Sequence, residues 1–371
     1  AIPGNKLSLQ AVMINLNYPL LKPVRILLLP FSLIYGLIIG IRNWLFDKKI
    51  LRPASFNLPL ICVGNLSVGG TGKSPMVEFL IESLSDKFEV AVLSRGYKRK
   101  TRGYALATGT TNALEIGDEP MQFFIKFPQV TVAVGEERIV AIPQLLHDRP
   151  GTEVIILDDA FQHRYVKAGF NILLTDANNL FTRDWFLPTG DLRDQKKSYL
   201  RADIIVVTKC SPELSLAEKH RLIKEINPAG HQRVFFSAIR YGEPYQIITK
   251  EKYIKEKDTV VLLVTGIANP VPLKKHLEEN FSEYDELSYS DHHIFTIDDL
   301  KYILQKFHQI QAAHKIILTT EKDAVRLIKF SNRLRELPLF VIPIRPVFLF
   351  REEKEFVGLI TTFIQEFPVQ E

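Results

Sequence analysis

"SVGGTGKSP", residues 67–75, follows the apolar run "LPLICV" (58–63) and precedes Val77, Leu80, Ile81 and Leu84, spaced i, i+3, i+4 and i+7. The order is buried strand, glycine-rich turn, and helix packed on a sheet. Gly69, Gly70 and Gly72 let the backbone on either side of Thr71 turn tightly and aim its N–H groups at phosphate oxygens. The helix N-terminus adds partial positive charge. In this pattern Lys73 reaches the β- and γ-phosphates and the Ser74 hydroxyl holds Mg²⁺. The match to G-x-x-x-x-G-K-[ST] is imperfect, because Ser67 stands where the first glycine is expected.

A second element supplies acid. "VIILDDAFQH" (154–163) runs four apolar residues into Asp158 and Asp159, a carboxylate pair at the C-terminal edge of a strand, where a parallel α/β sheet places its ligands. One carboxylate orients a magnesium shell by way of water, and the other is free for a different partner. The plain alternative is a strand-to-helix turn with a capping Asp. Beside a phosphate loop the pair points to a nucleotide.

The apolar runs 88–93, 130–134, 153–158, 170–176, 202–209 and 233–239 read as further buried strands, an α/β rhythm with a mostly parallel sheet. "KEKYIKEKD" (250–258) is the best linker candidate, because its charges are costly to bury. A second α/β unit comes after it, with strands at 259–266, 315–320 and 339–344 and helical patterns near 271–280, 298–312 and 352–366. The expected organisation is an N-terminal tail and helix (1–45), a P-loop NTPase-like core domain (46–255) and a smaller C-terminal α/β domain (256–371).

Composition leaves room for this: 371 residues, 46% hydrophobic and 24% charged, are those of an ordinary globular chain. A net charge of +5 suits an anionic partner but is too mild to indicate nucleic acid. Cys62 and Cys210, far apart in apolar runs, read as core residues of a reduced compartment.

Residues 26–41 are uncharged, bounded by Arg25 and Arg42, with Trp44, Lys48 and Lys49 beyond. As a helix they span roughly 24 Å, short of the roughly 30 Å hydrocarbon core. The segment is expected to lie in a membrane interface or enter one leaflet, with the cations and Trp44 at headgroup level. A buried N-terminal helix is the alternative. A cleaved signal peptide lacks its small-residue site. Residues 1–12 look unrelated to the rest of the chain, and Met13 is a candidate natural start.

Two nucleotide switches lack their diagnostic residue. "VVTKCSPE" (206–213) resembles the guanine-reading T-K-x-D element but carries Ser211 in place of Asp. Partitioning ATPases place an additional Lys just before the glycine pair, where Val68 stands here. A kinase needs a base and cations around the transferred group. "SRGYKRKTRGY" (94–104) packs Arg95, Lys98, Arg99, Lys100 and Arg102 into one loop, and "IGDEP" (116–120) holds Asp118 and Glu119. "YSDHHIF" (289–295) adds Asp291, His292 and His293, without a third ligand at metal-like spacing. The plain alternatives are a solvated basic turn, an acidic N-cap and an ordinary loop.

Taken in order, "VGNLSVGGTGKSP", "SRGY", "GDEP", "DDAFQH", "LPTGDLRD", "VTKC", "TGIANP", "SDHH" and "TTEKDAVRL" resemble the tetraacyldisaccharide 4′-kinase (lipid A 4′-kinase) family, from about residue 26 to 365. The resemblance implies Mg-ATP-dependent phosphorylation of the 4′-hydroxyl of tetraacyldisaccharide 1-phosphate, in lipopolysaccharide biosynthesis at the cytosolic face of the bacterial inner membrane. It also implies a membrane-anchoring N-terminal helix, with neither nucleic acid nor an obligate protein partner. Carried over residue by residue, Lys73 and Ser74 serve ATP and magnesium, Asp118 is the base, and Glu119 and Asp158 lie at the metal. His292 supports a catalytic carboxylate, with Asp159 as partner, the choice against His293 being made by alignment. Arg95, Arg138, Gln162, His163 and Arg193 line the acceptor and phosphate region. Ala160 replaces a frequent Gly, Ser74 a frequent Thr, and Asp194 a usual Glu. A membrane-associated ATPase switch with a protein partner is the alternative function, and a soluble kinase of a polar metabolite a third.

Overall fold

Long runs of Val, Ile and Leu can hide both faces only inside a parallel sheet covered by helices. In the computed structural model, which describes residues 25–254, 256 and 258–368, each such run is a strand. The strands are β1 (Leu60–Asn65), β2 (Val90–Ser94), β3 (Ala105–Leu106), β4 (Thr131–Val134), β5 (Val154–Asp158), β6 (Phe170–Asp176) and β7 (Ile204–Thr208). They continue as β8 (Arg233–Tyr241), β9 (Tyr245–Gln246), β10 (Val260–Thr265), β11 (Glu283–Ser288), β12 (Lys315–Thr320), β13 (Leu339–Ile342) and β14 (Ile344–Phe348).

Two sheets result. The larger runs β14-β8-β7-β6-β1-β5-β2-β4-β3, parallel except for the edge strands β3 and β14. The smaller runs β11-β10-β12-β13-β9, with only β9 antiparallel. Alternation along β1 sends Ile61 and Val63 into one core and Leu60 and Cys62 into the other, so helices cover both faces. Both cysteines are buried.

Sheet membership departs from the division expected at 255/256. β9, before that point, joins the smaller sheet, while β14, after it, joins the larger. Helix Glu353–Gln365 also returns, placing Phe356, Ile360 and Ile364 in the larger sheet's core. The charged run marks a loop, but long-range pairing decides which strand belongs to which sheet. The chain thus crosses between the sheets on both sides of the smaller one.

At the N-terminus, a short 3₁₀ turn (Ile26–Leu28) leads into helix Leu29–Asp47, which runs on past Ile41, the end of the uncharged stretch. Residues 1–24, including Met13, lie outside the described residues. Ser32, Gly36 and Asn43 face the protein and are buried, whereas Phe31, Leu33, Ile34, Leu37, Ile38 and Ile41 are all more than half exposed. The apolar side of this helix faces outward. The alternative of a buried helix is therefore not met; only 11% of its apolar window is buried.

The inward face is bonded along its length. Ser32 Oγ donates to the Phe186 carbonyl at 3.0 Å, and Tyr35 Oη to the Arg193 carbonyl at 3.1 Å. Arg42 reaches the Gln162 carbonyl at 2.8 Å, and Asn43 Nδ2 reaches Asp194 Oδ1 at 2.7 Å. A Cβ on Gly36 would lie 2.8 Å from the Phe186 ring, so glycine allows this close approach.

Candidate active site

The phosphate loop joins β1 to helix Lys73–Leu84, whose N-cap Gly72 has φ +84°, with Gly69 at +102°. Such left-handed conformations suit glycine. Asn65, the last residue of β1 and fully buried, holds the turn from beneath: its Nδ2 donates to Thr71 Oγ1 at 2.9 Å, and its Oδ1 accepts from Lys73 Nζ at 3.3 Å. Thr208, at the end of β7, donates to the Thr71 carbonyl at 2.9 Å. Sequence reasoning assigned no role to Asn65 or Thr208; an amide closing an apolar strand was the available signal.

β5 pairs with β1 in a register that sets Asp158 opposite Val63, so both carboxylates of "DDAFQH" emerge beside the loop. They differ in environment. Asp158 is buried and accepts from Ser94 Oγ at 2.9 Å; burial and the neighbouring Glu119 and Asp159 carboxylates push it up to about 7. Asp159, at φ +48°, is gripped by both guanidinium nitrogens of Arg193 and lies 3.8 Å from Lys73 Nζ. Burial opposes its charge, but Lys73 and Arg193 outweigh that and hold the carboxyl below its ordinary range.

Helix Asp118–Lys126 begins after Gly117, and its first turn carries Asp118 and Glu119. Neither acts as a simple cap. Glu119 Oε1 accepts from Ser74 Oγ at 3.3 Å and from Lys322 Nζ at 3.3 Å, linking the phosphate loop to the smaller sheet's helix Glu321–Leu327. Asp118 Oδ2 lies 3.0 Å from His292 Nδ1 and 2.9 Å from Arg326 Nε. Burial raises the cost of its charge, yet the bonds from His292 and Arg326 hold its carboxyl below the ordinary range.

The two histidines separate cleanly. His292 meets Asp118, so the carboxylate it supports is not Asp159, as expected; Asp159 is taken up by Arg193. His293 Nε2 lies 3.0 Å from Asp299 Oδ2, within the capping box of helix Ile297–Gln309. His293 is bound to local structure.

Of the residues expected around the acceptor, Arg193 and Gln162 stand at the loop, Gln162 donating to the Asn65 carbonyl at 2.7 Å. Arg95 is exposed at the end of β2. Arg138 is a correction: it is 2% exposed and donates to the carbonyls of Gly135 and Asp158, so it braces the end of β5 rather than facing an acceptor. His163 lies behind it, on a small cavity with Cys62 and Arg201; burial and the cations Arg138 and Arg95 push its ring down to about 4. Within the basic loop, Arg99 pairs with Glu136 at 2.6 Å and so supports the loop itself.

Donors for Mg²⁺ converge in part: the Ser74 hydroxyl, Glu119 and the buried Asp158 carboxylate lie around the loop's mouth. Their mutual repulsion is what a divalent cation would relieve. Among the described residues no cluster of three or more His, Cys, Asp or Glu forms a metal cage. Magnesium on a nucleotide needs only one or two carboxylates, with phosphates and water completing its shell. The donor set fits.

A family model described as tetraacyldisaccharide-1-P 4′-kinase (LpxK) matches residues 24–365. The chain belongs to this family. The kinase is 46% identical over 345 residues to the tetraacyldisaccharide 4′-kinase of Flavobacterium johnsoniae, covering 92% of this chain and 98% of that one. It is 44% identical over 353 residues to the enzyme of the same name from Bacteroides thetaiotaomicron, covering 91% and 93%. Among solved structures it is similar to LpxK from Aquifex aeolicus in complex with ATP, at 29% identity and a TM-score of 0.72, covering 92% of this chain and 99% of that one.

Proposed function

We propose that this kinase transfers the γ-phosphoryl group of ATP to the 4′-hydroxyl of tetraacyldisaccharide 1-phosphate, in lipid A biosynthesis at the cytoplasmic face of the bacterial inner membrane. Membership of the family over nearly the whole chain supports the reaction. The observation that carries the residue roles is the pairing of Asp118 with His292 beside a phosphate loop that Glu119 ties to the same interface.

A sugar hydroxyl is a poor nucleophile near neutral pH, so its proton must be received as the new bond forms. Asp118 receives that proton: the sugar O–H bond breaks, the oxygen's electron pair forms the bond to the γ-phosphorus, and the bond to the ADP oxygen breaks. Lys73, the loop N–H groups and Arg193 stabilise the charge on the transferred group. Mg²⁺, when bound, neutralises the phosphate oxygens. Ser74, Glu119 and Asp158 are the residues that would hold it.

The outward apolar ridge of helix Leu29–Asp47 supports docking at a lipid surface, and its bonded inner face supports lying along the core rather than crossing alone. A four-chain acceptor leaves a bilayer only at about 0.8 kcal/mol per exposed CH₂. The enzyme must meet it at the interface. The alternative, an ATPase switch for a protein partner, has no support in the family match.

The test is transfer of label from γ-labelled ATP to tetraacyldisaccharide 1-phosphate in detergent with Mg²⁺, beside Lys73→Ala. Labelled lipid that disappears in the variant is expected. Absence of labelled lipid with the parent protein, while ATP still binds, would overturn the proposal.

A further inference from the structure

Two motifs, "TGIANP" and "TTEKDAVRL", had no chemistry attached, and the structure joins them behind the base. Arg326 is 6% exposed. Its Nε lies 2.9 Å and its Nη2 2.8 Å from Asp118 Oδ2, and Nη2 also lies 3.0 Å from His292 Nδ1. From behind, Arg326 Nη1 bonds Asp323 Oδ1 at 3.3 Å. Asp323 is fully buried and accepts in turn from the Gly266 N–H at 3.1 Å and Thr320 Oγ1 at 2.7 Å.

We infer that Arg326, held by Asp323, is a positioning residue: it locks Asp118 through Oδ2 so that Oδ1 alone faces the acceptor hydroxyl, and it sets the tautomer of His292. This rests on the reading of Asp118 as the base. Among the described residues, the bonds to the Asp118 carboxylate all fall on Oδ2. A guanidinium is always charged and only donates. With Arg326 Nε and Nη2 both donating to Asp118 Oδ2, Nδ1–H of His292 donates to the same carboxylate oxygen, which leaves Nε2 as the ring's acceptor. One permanent donor thereby controls both members of the pair.

The groups facing Asp118 are Arg326, with Asp323 behind it, and Lys322 from helix Glu321–Leu327; His292 and Asp291 from their loop; Glu119 from its own helix; and the Tyr97 ring beside His292. Among them Arg326 is the cation that reaches both Asp118 and His292. Removing it should free the carboxyl to swing, which costs rate rather than nucleotide affinity.

The experiment measures kcat and the KM for each substrate of lipid phosphorylation for the parent chain, Arg326→Met, Arg326→Lys and Asp323→Asn, with nucleotide affinity as a check on folding. Arg326→Met should lose roughly 100-fold in kcat and leave the KM for ATP unchanged. Arg326→Lys should recover part of that rate but not all of it, since a point charge cannot make both bonds. In an Asp118→Asn background the Arg326 substitution should add little further loss. A parental kcat in Arg326→Met, with Asp118→Asn inactive, would overturn the inference and leave the base intact. Parental activity of Asp118→Asn would overturn the base itself. If Arg326→Met fails to bind nucleotide, Arg326→Lys and Asp323→Asn carry the same comparison, and a parental kcat in both would overturn the inference.

Discussion

Asn43, on the N-terminal helix, donates to Asp194 at 2.7 Å, and Asp194 is only 1% exposed. The same carboxylate accepts from Ser198 Oγ at 2.9 Å and pairs with Arg201 at 2.8 Å. The shortened acid of "LRD" is therefore the anchor by which the core holds the helix. Asp194→Ala should cost about 3 kcal/mol, measured as a fall in the urea midpoint of the detergent-solubilised protein. A midpoint equal to the parent's would show that the helix is held by its other contacts and not by Asp194.

The outward ridge makes a separate prediction. Leu37, Ile38 and Ile41 are 63%, 58% and 52% exposed, so replacing all three with Asn leaves the core's contacts intact. At about 1.5 kcal/mol each, the triple variant should bind vesicles roughly three orders of magnitude more weakly, with ATP affinity unchanged. Undiminished flotation with vesicles would place the membrane contact elsewhere on the protein.

Chemistry and nucleotide binding should part at two residues. Lys73→Ala should lower transfer by roughly 10²- to 10³-fold and weaken ATP binding. Asp118→Asn should lower transfer by roughly 10²- to 10⁴-fold with ATP binding retained, because Asp118 bonds His292 and Arg326 rather than the loop. Equal loss of ATP affinity in both variants would contradict that separation.

At the far end of helix Asp118–Lys126, Lys126 Nζ lies 2.7 Å from both Glu78 and Glu321. Burial and the nearby Glu321 push Glu78 from its ordinary 4.5 up to about 7. A raised carboxyl leaves the folded state holding a proton that the unfolded chain releases. Its contribution therefore favours folding below about 4.5 and is lost as pH rises to about 7. Glu78→Gln should gain stability relative to the parent across that window, read as urea midpoints at pH 5 and pH 8. A difference that stays constant with pH would assign Glu78 an ordinary titration.

Much of this was legible in the chain because parallel strands covered on both faces must be apolar throughout, as in "EVIILD" and "DIIVV". "EYDELS" and "IRPVF" escaped notice because β11 is an edge strand and β14 an antiparallel one, each with exposed positions that interrupt the apolar run. The phosphate loop and "DDAFQH" were readable because each site lies within one short segment. The partner of His292 was not: Asp118 lies 174 residues away, and only tertiary packing brings the first turn of helix Asp118–Lys126 to the loop that carries His292. Arg138 was placed at the acceptor by the family resemblance alone, and its burial, which no motif displays, makes it a brace. The inward face of the first helix had left a trace, with Ser32, Gly36, Gly40 and Asn43 falling on one side of the helix amid larger apolar neighbours.

That inward face also fixes an angle. Ser32, Tyr35, Arg42 and Asn43 grip the core at successive turns, so the helix is not free to roll about its axis. Tyr35 ends on the backbone of Arg193, the residue whose side chain holds Asp159. If, as proposed, the ridge sinks into a bilayer, the nucleotide site would take a set bearing relative to the membrane plane. The search for an acceptor would then become two-dimensional, with headgroups diffusing past a mouth held at one angle.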